Sequence, residues 1–286
     1  MYNTDLFSNI TSQVQTYQKG NWINMINPTE NEIEDVCKNL AIKQDFIRYS
    51  LDYEEKARVD VEDDGTILFI IDVPIIEKEN GTISEVYFVA CGGSLVDLYS
   101  SCYFINRESS TMTAEWITSK EFVLTPPKKL GKHSVVIICS HGGNTKETVE
   151  AAELGVKEGA FVITYTHTPG SACDSEKFHA IVYDWEPETL QKDRPLGLNY
   201  SIINELIHRQ EPEYKLYEGM KDGITKCDAI IRNATKKFQN KAWNFAEHYY
   251  NAPFLYIMAS GSAYAQAYGF AICSLQEMQW MGCCYL

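Results

Sequence analysis

The chain lacks the features that would send it to a membrane, a secretory route or a nucleic acid. No stretch approaches the roughly 18 consecutive apolar residues that a membrane-spanning helix needs. The opening Met1-Tyr2-Asn3-Thr4-Asp5 has no basic start followed by an apolar core, so no secretory signal is expected. Positive charge is scarce: 25 Lys and Arg stand against 39 Asp and Glu, a formal net charge of −14. A phosphate backbone needs a basic footprint, so nucleic acid is excluded as the main partner. Nine cysteines are present without any CxxC spacing, and several sit in apolar runs such as Val89-Ala90-Cys91 and Ile137-Ile138-Cys139. They read as buried free thiols of a cytoplasmic protein, with no spacing for a catalytic thiol or a metal site. Neither GxxxxGK[ST] nor GxGxxG occurs, which disfavours a nucleoside triphosphate or a dinucleotide. No metal and no organic cofactor is expected.

What is present is an ordinary globular balance, 45% hydrophobic and 22% charged, which excludes a disordered acidic tail and a fibrous repeat. A length of 286 residues fits about two domains. The acidity is uneven. Residues 1–85 hold 17 acids and 7 bases, net −10, whereas residues 86–286 hold 22 acids and 18 bases, net −4.

The front of the chain reads as a small α+β segment. Residues 22–26 alternate as a strand. Thr29 and Glu32 form a capping box, and Ile33, Val36, Cys37 and Leu40 share one helical face. A second helix is expected at about 44–51. Strands at about 57–63 and 66–73 flank the hairpin signal Asp64-Gly65, and Pro74 closes the second. Glu54, Glu55, Asp60, Glu62, Asp63 and Asp64 form a dense acidic run, either a solvated face or a weak divalent-cation site. Trp22, Asn27-Pro28-Thr29, Glu32-Ile33, Phe46-Ile47, Leu51-Asp52, Arg58, Glu62-Asp63 and the run 68–74 resemble the start of the cytoplasmic domain of CorA-type magnesium transporters. The resemblance covers about residues 20–80. That family's Gly-Met-Asn pore motif and membrane helices are not in this sequence, so its transport activity is not implied.

The pattern changes near Glu85. The run 86–91 is continuously apolar and rich in β-formers, as a strand buried on both faces should be. Gly92-Gly93-Ser94 follow, then a helical pattern through Leu95, Leu98, Tyr99 and Cys102. The theme repeats: a strand at 134–139, a loop at 140–145, a helix of about 145–158 ended by Gly159, and strands at 160–164 and 180–183. Alternation at this spacing argues an α/β fold with a doubly wound parallel sheet. Pro187 and Pro195 break the chain, and helices are expected at about 198–210, 214–238 and 240–250. Their scattered bases read as a solvated surface.

Ligands of such sheets sit at the carboxyl ends of strands. Two loops there are built of Gly, Ser, Thr and Asn. Glycines admit a ligand close to the backbone, and free N–H groups at the start of the helix favour an anion. Ser140 and Thr145 add hydroxyl donors. The loops are therefore either a phosphate cradle without lysine or ordinary tight turns and caps.

Cys91-Gly92-Gly93-Ser94, Ser140-His141-Gly142-Gly143-Asn144-Thr145 with Glu147-Thr148, and Thr164 with Ser171 resemble the sugar isomerase (SIS) domain, an αβα sandwich. Ala259-Ser260-Gly261-Ser262-Ala263-Tyr264, leading to Ser274-Leu275-Gln276-Glu277, resembles the opening of a second copy. In detail the motifs are similar to the fructosamine-6-phosphate deglycases. The resemblance spans about residues 85–286. It implies that Gly93, Ser94, Ser140, His141, Gly142, Gly143, Asn144, Thr145 and Ser171 bind a sugar phosphate. His141 stands where relatives often have Gln. The family's catalytic glutamate falls on Glu277, whose chemistry would open a ketosamine, move its C1 proton and release glucose 6-phosphate and free amine without a metal. A homodimer or higher oligomer is also implied.

The family's second acid/base histidine would lie beyond Leu286. Histidines 133, 141, 167, 179, 208 and 248 lie outside that motif. The expected organisation is a CorA-like fragment at 1–84, a first SIS domain at 85–195, a helical connection at 196–250, and a truncated second SIS half at 251–286, as a gene fusion, an assembly artefact or a deliberately joined chain would give. The rivals to the deglycase are a non-catalytic phosphosugar-binding module and a divalent-cation regulatory fragment.

Overall fold

Capped helices and short buried strands sort the chain into two units, Met1–Ile76 and Glu77–Leu286. The computed structural model describes residues 2–4, 11–13, 22–25, 28–49, 58–61, 66–70 and 82–286.

In the first unit, β1 (Tyr2–Thr4), β2 (Thr11–Gln13) and β3 (Trp22–Asn24) form an antiparallel sheet ordered β2-β1-β3. The capping box then starts α1 (Glu30–Leu40): Thr29 Oγ1 accepts from the Glu32 amide at 3.4 Å, and the Glu32 carboxylate accepts from the Thr29 amide at 2.9 Å. Ile33, Val36 and Cys37 are buried on the expected face, while Leu40 is exposed. After α2 (Gln44–Tyr49), strands β4 (Arg58–Val61) and β5 (Ile67–Ile70) pair antiparallel, Val61 opposite Ile67. The Asp64-Gly65 turn, Pro74 and the acidic run apart from Asp60 lie outside the described residues.

The second unit carries a five-stranded parallel sheet of order β10-β9-β8-β6-β7. Its members alternate with helices: β6 (Glu85–Ala90), α3 (Gly92–Glu108), β7 (Thr113–Thr118), α4 (Ser119–Leu124), β8 (Ser134–Cys139), α5 (Lys146–Lys157), β9 (Phe161–Thr166) and β10 (His179–Val182). All six residues of β6 and of β8 are buried, which is why both read as unbroken apolar runs. Their register, Ala90 opposite Cys139, brings the loops after both strands out side by side. Tyr87, Val89, Phe122, Val136, Ile138, Ala151 and Ala152 form a core between the sheet and helices α4 and α5. A Cβ on Gly155 of α5 would stand 2.9 Å from Val162 Cγ2, so this glycine sets how closely the helix lies on the sheet.

Strand β7 and helix α4 were not expected from the sequence. Strand β7 is an edge strand whose pattern mixes exposed and buried residues, and polar Thr113, Glu115 and Thr118 hide it among loop-like residues. Beyond the sheet, α6 (Pro195–Gln210) is followed by α7 (Tyr217–Tyr249). The expected pair at 214–238 and 240–250 is one continuous 33-residue helix, since neither Gly nor Pro stands between Gln239 and Lys241 to break it. None of its residues is buried.

The last stretch holds β11 (Leu255–Ile257), α8 (Tyr264–Tyr268), a π-helical segment at Gly269–Met278, and β12 (Cys283–Tyr285). Strand β12 pairs with β11 in parallel, Leu255 opposite Cys283. Rings join this stretch to the sheet domain: Tyr99 of α3 packs against Trp116 at 5.2 Å and Tyr264 at 5.7 Å, and Tyr268 meets Trp116 at 5.9 Å and Tyr285 at 5.3 Å. No helix among the described residues is long and apolar enough to cross a membrane.

Candidate functional site

The loop after β8 is tied down residue by residue. The Ser140 amide donates to the Tyr165 carbonyl, and the Gly143 amide donates to the Ser140 carbonyl, both at 3.0 Å. Gly143 has φ +68°, and a Cβ there would stand 1.9 Å from Ser171 Oγ and 2.6 Å from Thr166 Oγ1. Only glycine satisfies both the left-handed backbone and that approach. The Cys173 amide donates to the Gly143 carbonyl at 2.9 Å, and the Ala172 amide donates to Asn144 Oδ1 at 3.0 Å. Ser140, Gly143, Asn144 and Ser171 are thus one built unit, and Ser171 lies within 3.3 Å of Thr166 Oγ1.

Thr145 precedes α5 but makes no side-chain cap on it; its hydroxyl lies 3.2 Å from Ser140 Oγ. The helix N-terminus is left open to an anion, with Ser140 buried and Thr145 exposed beside it. Gly142 and Asn144 are exposed too, so an incoming group meets backbone and hydroxyl donors, with Lys146 exposed at the first position of the helix.

The loop after β6 faces this one. Gly92 (φ +54°) and Gly93 are exposed, and a Cβ on either would meet nothing within 4 Å. Ser94 lies close enough to the Cys139 thiol to bear on its pKa. Thr148 of α5 links across to Cys91 Sγ at 3.8 Å and to Ser119 Oγ at 2.9 Å. Burial holds the carboxyl of Asp97, one turn into α3, up at about 6, and Asp97 lies within electrostatic reach of both Cys139 and Tyr183. Burial likewise pushes the Cys139 thiol up.

His141 is exposed on the loop yet held by rings. Its Nδ1 lies 2.8 Å from the Tyr183 hydroxyl, and its ring stacks on His167 with centroids 5.0 Å apart. Burial, and then the neighbouring His167, lower its pKa. Tyr183, His167, Thr166 and Asp97 were not singled out by sequence. The only signal available was their place at or just past strand ends, or one helical turn after the first glycine loop.

Glu277 stands apart. It is exposed, has no hydrogen bond to either loop, and lines a shallow cavity of about 620 Å³ with Phe254, Gln276, Trp280 and Met281. Tyr268, whose hydroxyl pKa is raised chiefly by burial, lies within electrostatic reach of both Glu277 and Cys91. All nine cysteines are free, five of them buried. Among the described residues no cluster of three His, Cys, Asp or Glu is arranged to hold a metal ion.

Comparison with known proteins agrees with this architecture. The chain is 38% identical over 200 residues to the fructosamine deglycase FrlB of Bacillus subtilis (strain 168), covering 70% of this chain and 61% of that protein. It is 26% identical over 224 residues to the fructoselysine 6-phosphate deglycase of Escherichia coli (strain K12), covering 75% and 63%. A Bacillus subtilis crystal structure assigned as a phosphosugar isomerase superposes with a TM-score of 0.68 at 35% identity, over 72% of this chain and 63% of that one. The C-terminal domain of glucosamine-fructose-6-phosphate aminotransferase from Francisella tularensis, at 14% identity, shares the fold with a TM-score of 0.58. No family model matches the chain. The chain spans about three fifths of the length of the curated relatives it matches. The CorA-like reading of residues 20–80, and with it a fusion and a cation-regulatory fragment, finds no support among these relatives.

Proposed function

From the premise that the chain is a homologue of fructosamine deglycases with the SIS phosphosugar isomerase fold, we propose that it binds a sugar 6-phosphate and acts as a fructosamine 6-phosphate deglycase. The observation that carries this reading is the loop 140–145: a glycine clamped against Ser171, two facing hydroxyls, and an uncapped helix start, all presented at the carboxyl end of the sheet. That arrangement offers neutral donors to a dianion, which suits a protein of net charge −14. Gly93 and Ser94 complete the cradle from the neighbouring loop.

In this reading Glu277 is the base. Its carboxylate takes a proton from C1 of the open-chain ketosamine, and reprotonation at C2 leaves an imine between C1 and the amine nitrogen. Water hydrolyses the imine to glucose 6-phosphate and the free amine. We place the protein in the cytoplasm, a reading supported by its nine free thiols. We propose a homodimer or larger assembly, supported by the exposed apolar side chains of α7, among them Ile230, Phe238 and Trp243.

One observation favours a second reading. The exposure of Glu277, without a bond to either loop, suits a phosphosugar-binding module that does not catalyse. Two assays separate the readings. Incubation with a phosphorylated fructosamine should release glucose 6-phosphate, and Glu277→Gln should slow release by about a hundredfold or more. Thermal-shift titration with glucose 6-phosphate should show stabilisation that Ser140→Ala with Thr145→Ala abolishes. Stabilisation without release selects the binding module; neither effect overturns both.

A further inference from the structure

The imidazole of His141 is surrounded by groups that the phosphate cradle does not itself require. Tyr183, only 5% exposed, sets its hydroxyl 2.8 Å from Nδ1. His167 stacks on the ring at an interplanar angle of 14°, and Trp185 meets it edge-on at 5.3 Å. The Tyr183 hydroxyl has no other hydrogen-bond partner among the described residues. If it accepted a proton from Nδ1, its own proton would be buried without an acceptor, an arrangement that buried polar groups avoid. The phenol therefore donates and Nδ1 accepts. A neutral imidazole carries one N–H, which is then on Nε2. His167 is set the other way: its Nδ1 lies 3.2 Å from the Tyr183 carbonyl oxygen, which can only accept, so Nδ1 carries the hydrogen there. One tyrosine thus fixes two stacked histidines, through its hydroxyl on one and its carbonyl on the other.

We infer that Tyr183 is a positioning residue that holds His141 as a neutral imidazole with its Nε2–H free to serve the anion cradle. The inference rests on the reading of loop 140–145 as a phosphate site. With Nδ1 engaged by a buried phenol, the nitrogen left for an incoming phosphate is a donor, and a dianion needs donors only. The groups that bear on the charge of this ring are His167 against its face, Asp97 and Cys139 within reach of Tyr183, Asp184 beside it in the chain, and the Arg194 guanidinium, 4.5 Å from the Trp185 ring. Burial and His167 both favour the neutral ring, in agreement with the phenol's donation.

Nitrogen-15 spectra of the imidazoles test the assignment without ligand. His141 should show a protonated Nε2 and a hydrogen-bonded, unprotonated Nδ1. Tyr183→Phe should weaken the Nδ1 signature and raise the pH midpoint of His141, because the bond that favoured the neutral form is gone. A protonated Nδ1 on His141, or a spectrum and midpoint unmoved by Tyr183→Phe, overturns the inference. Calorimetric titration with inorganic phosphate carries it to the cradle. Tyr183→Phe should weaken binding by about fivefold, the scale of one neutral hydrogen bond. In a His141→Gln background, whatever that variant's own affinity, adding Tyr183→Phe should change nothing further. An equal loss in both backgrounds overturns the positioning role. Absence of phosphate binding by the wild-type chain overturns the proposed function instead, and the spectra still decide the tautomer.

Discussion

Gly143 shows how a single position fixes a loop. Its left-handed backbone and its contact with Ser171 are independent demands, and glycine meets both. Gly143→Ala should therefore displace the loop or the Ser171 turn. We expect loss of the stabilisation by glucose 6-phosphate, with a drop of several degrees in melting temperature, measured by thermal shift. Gly92 and Gly93 differ, because a Cβ at either meets nothing within 4 Å. There no packing contact demands glycine; at Gly92 the positive φ does, and in the proposed function the open space is room for the sugar phosphate. The sequence signalled all of these glycines equally. It could not distinguish the glycine packed against the protein from those facing open space, because Ser171 is brought to Gly143 only by the fold.

Among elements, the turn from α3 to β7 depends on one carboxylate from α6's end. Glu211 accepts from Ser109 Oγ, from the Ser110 amide at 3.0 Å, from Ser110 Oγ at 2.8 Å and from Thr111 Oγ1 at 2.9 Å. Burial works to raise its pKa, but these hydrogen bonds outweigh burial and hold it down at about 2. A depressed carboxylate stabilises the fold above its unfolded pKa, and that contribution fades as pH falls through the folded value. Glu211→Gln should destabilise the protein by about 2 kcal/mol at pH 7, a figure discounted for partial exposure. The deficit should shrink from about pH 4.5 downward and vanish near pH 2, as read by denaturant titration across that range. Nothing in the local pattern of Ser109-Ser110-Thr111 announces this clamp, since its acceptor lies a hundred positions along the chain. Strands β6 and β8 were legible because, past Glu85 and Ser134 at their starts, burial on both faces leaves a continuous apolar run. Strand β7 was not, because an edge strand has one side to hide and the other to wet.

For the whole molecule, the aromatic seam decides whether the last 30 or so residues stay seated. Tyr264 packs on Tyr99 at 5.7 Å and on Tyr285 at 5.8 Å, and Gly269 lies so close to α3 that a Cβ would stand 2.8 Å from Val96 Cγ2. Tyr264→Ala removes two ring contacts of about 1 kcal/mol each beyond the area they bury. We expect faster amide exchange in β11, β12 and the π-helical segment, with the β6–β10 sheet unchanged, followed by hydrogen exchange. Equal loosening of both would show that the seam does not separate them. The chain runs helically through Glu277. That the helix is of the π type, and that the short helix before it reaches α3 through Tyr264, depends on packing across the fold. The uneven acidity has a parallel outcome: the two loops lie in the part of the chain that carries only −4 of the total −14.

The central place of β6 also bears on how the chain is made. Its six residues are shielded on both faces and flanked by β7 and β8, yet both neighbours come later in the sequence, with Ser134 opposite Glu85. A ribosome adding about 5–20 residues per second needs several seconds to deliver β8 after β6 has emerged. For that interval a strand buried along its whole length in the finished sheet has one flank or both open. A nascent chain of this protein is therefore most exposed to mispairing, and most in need of a chaperone, between the synthesis of Ala90 and that of Cys139.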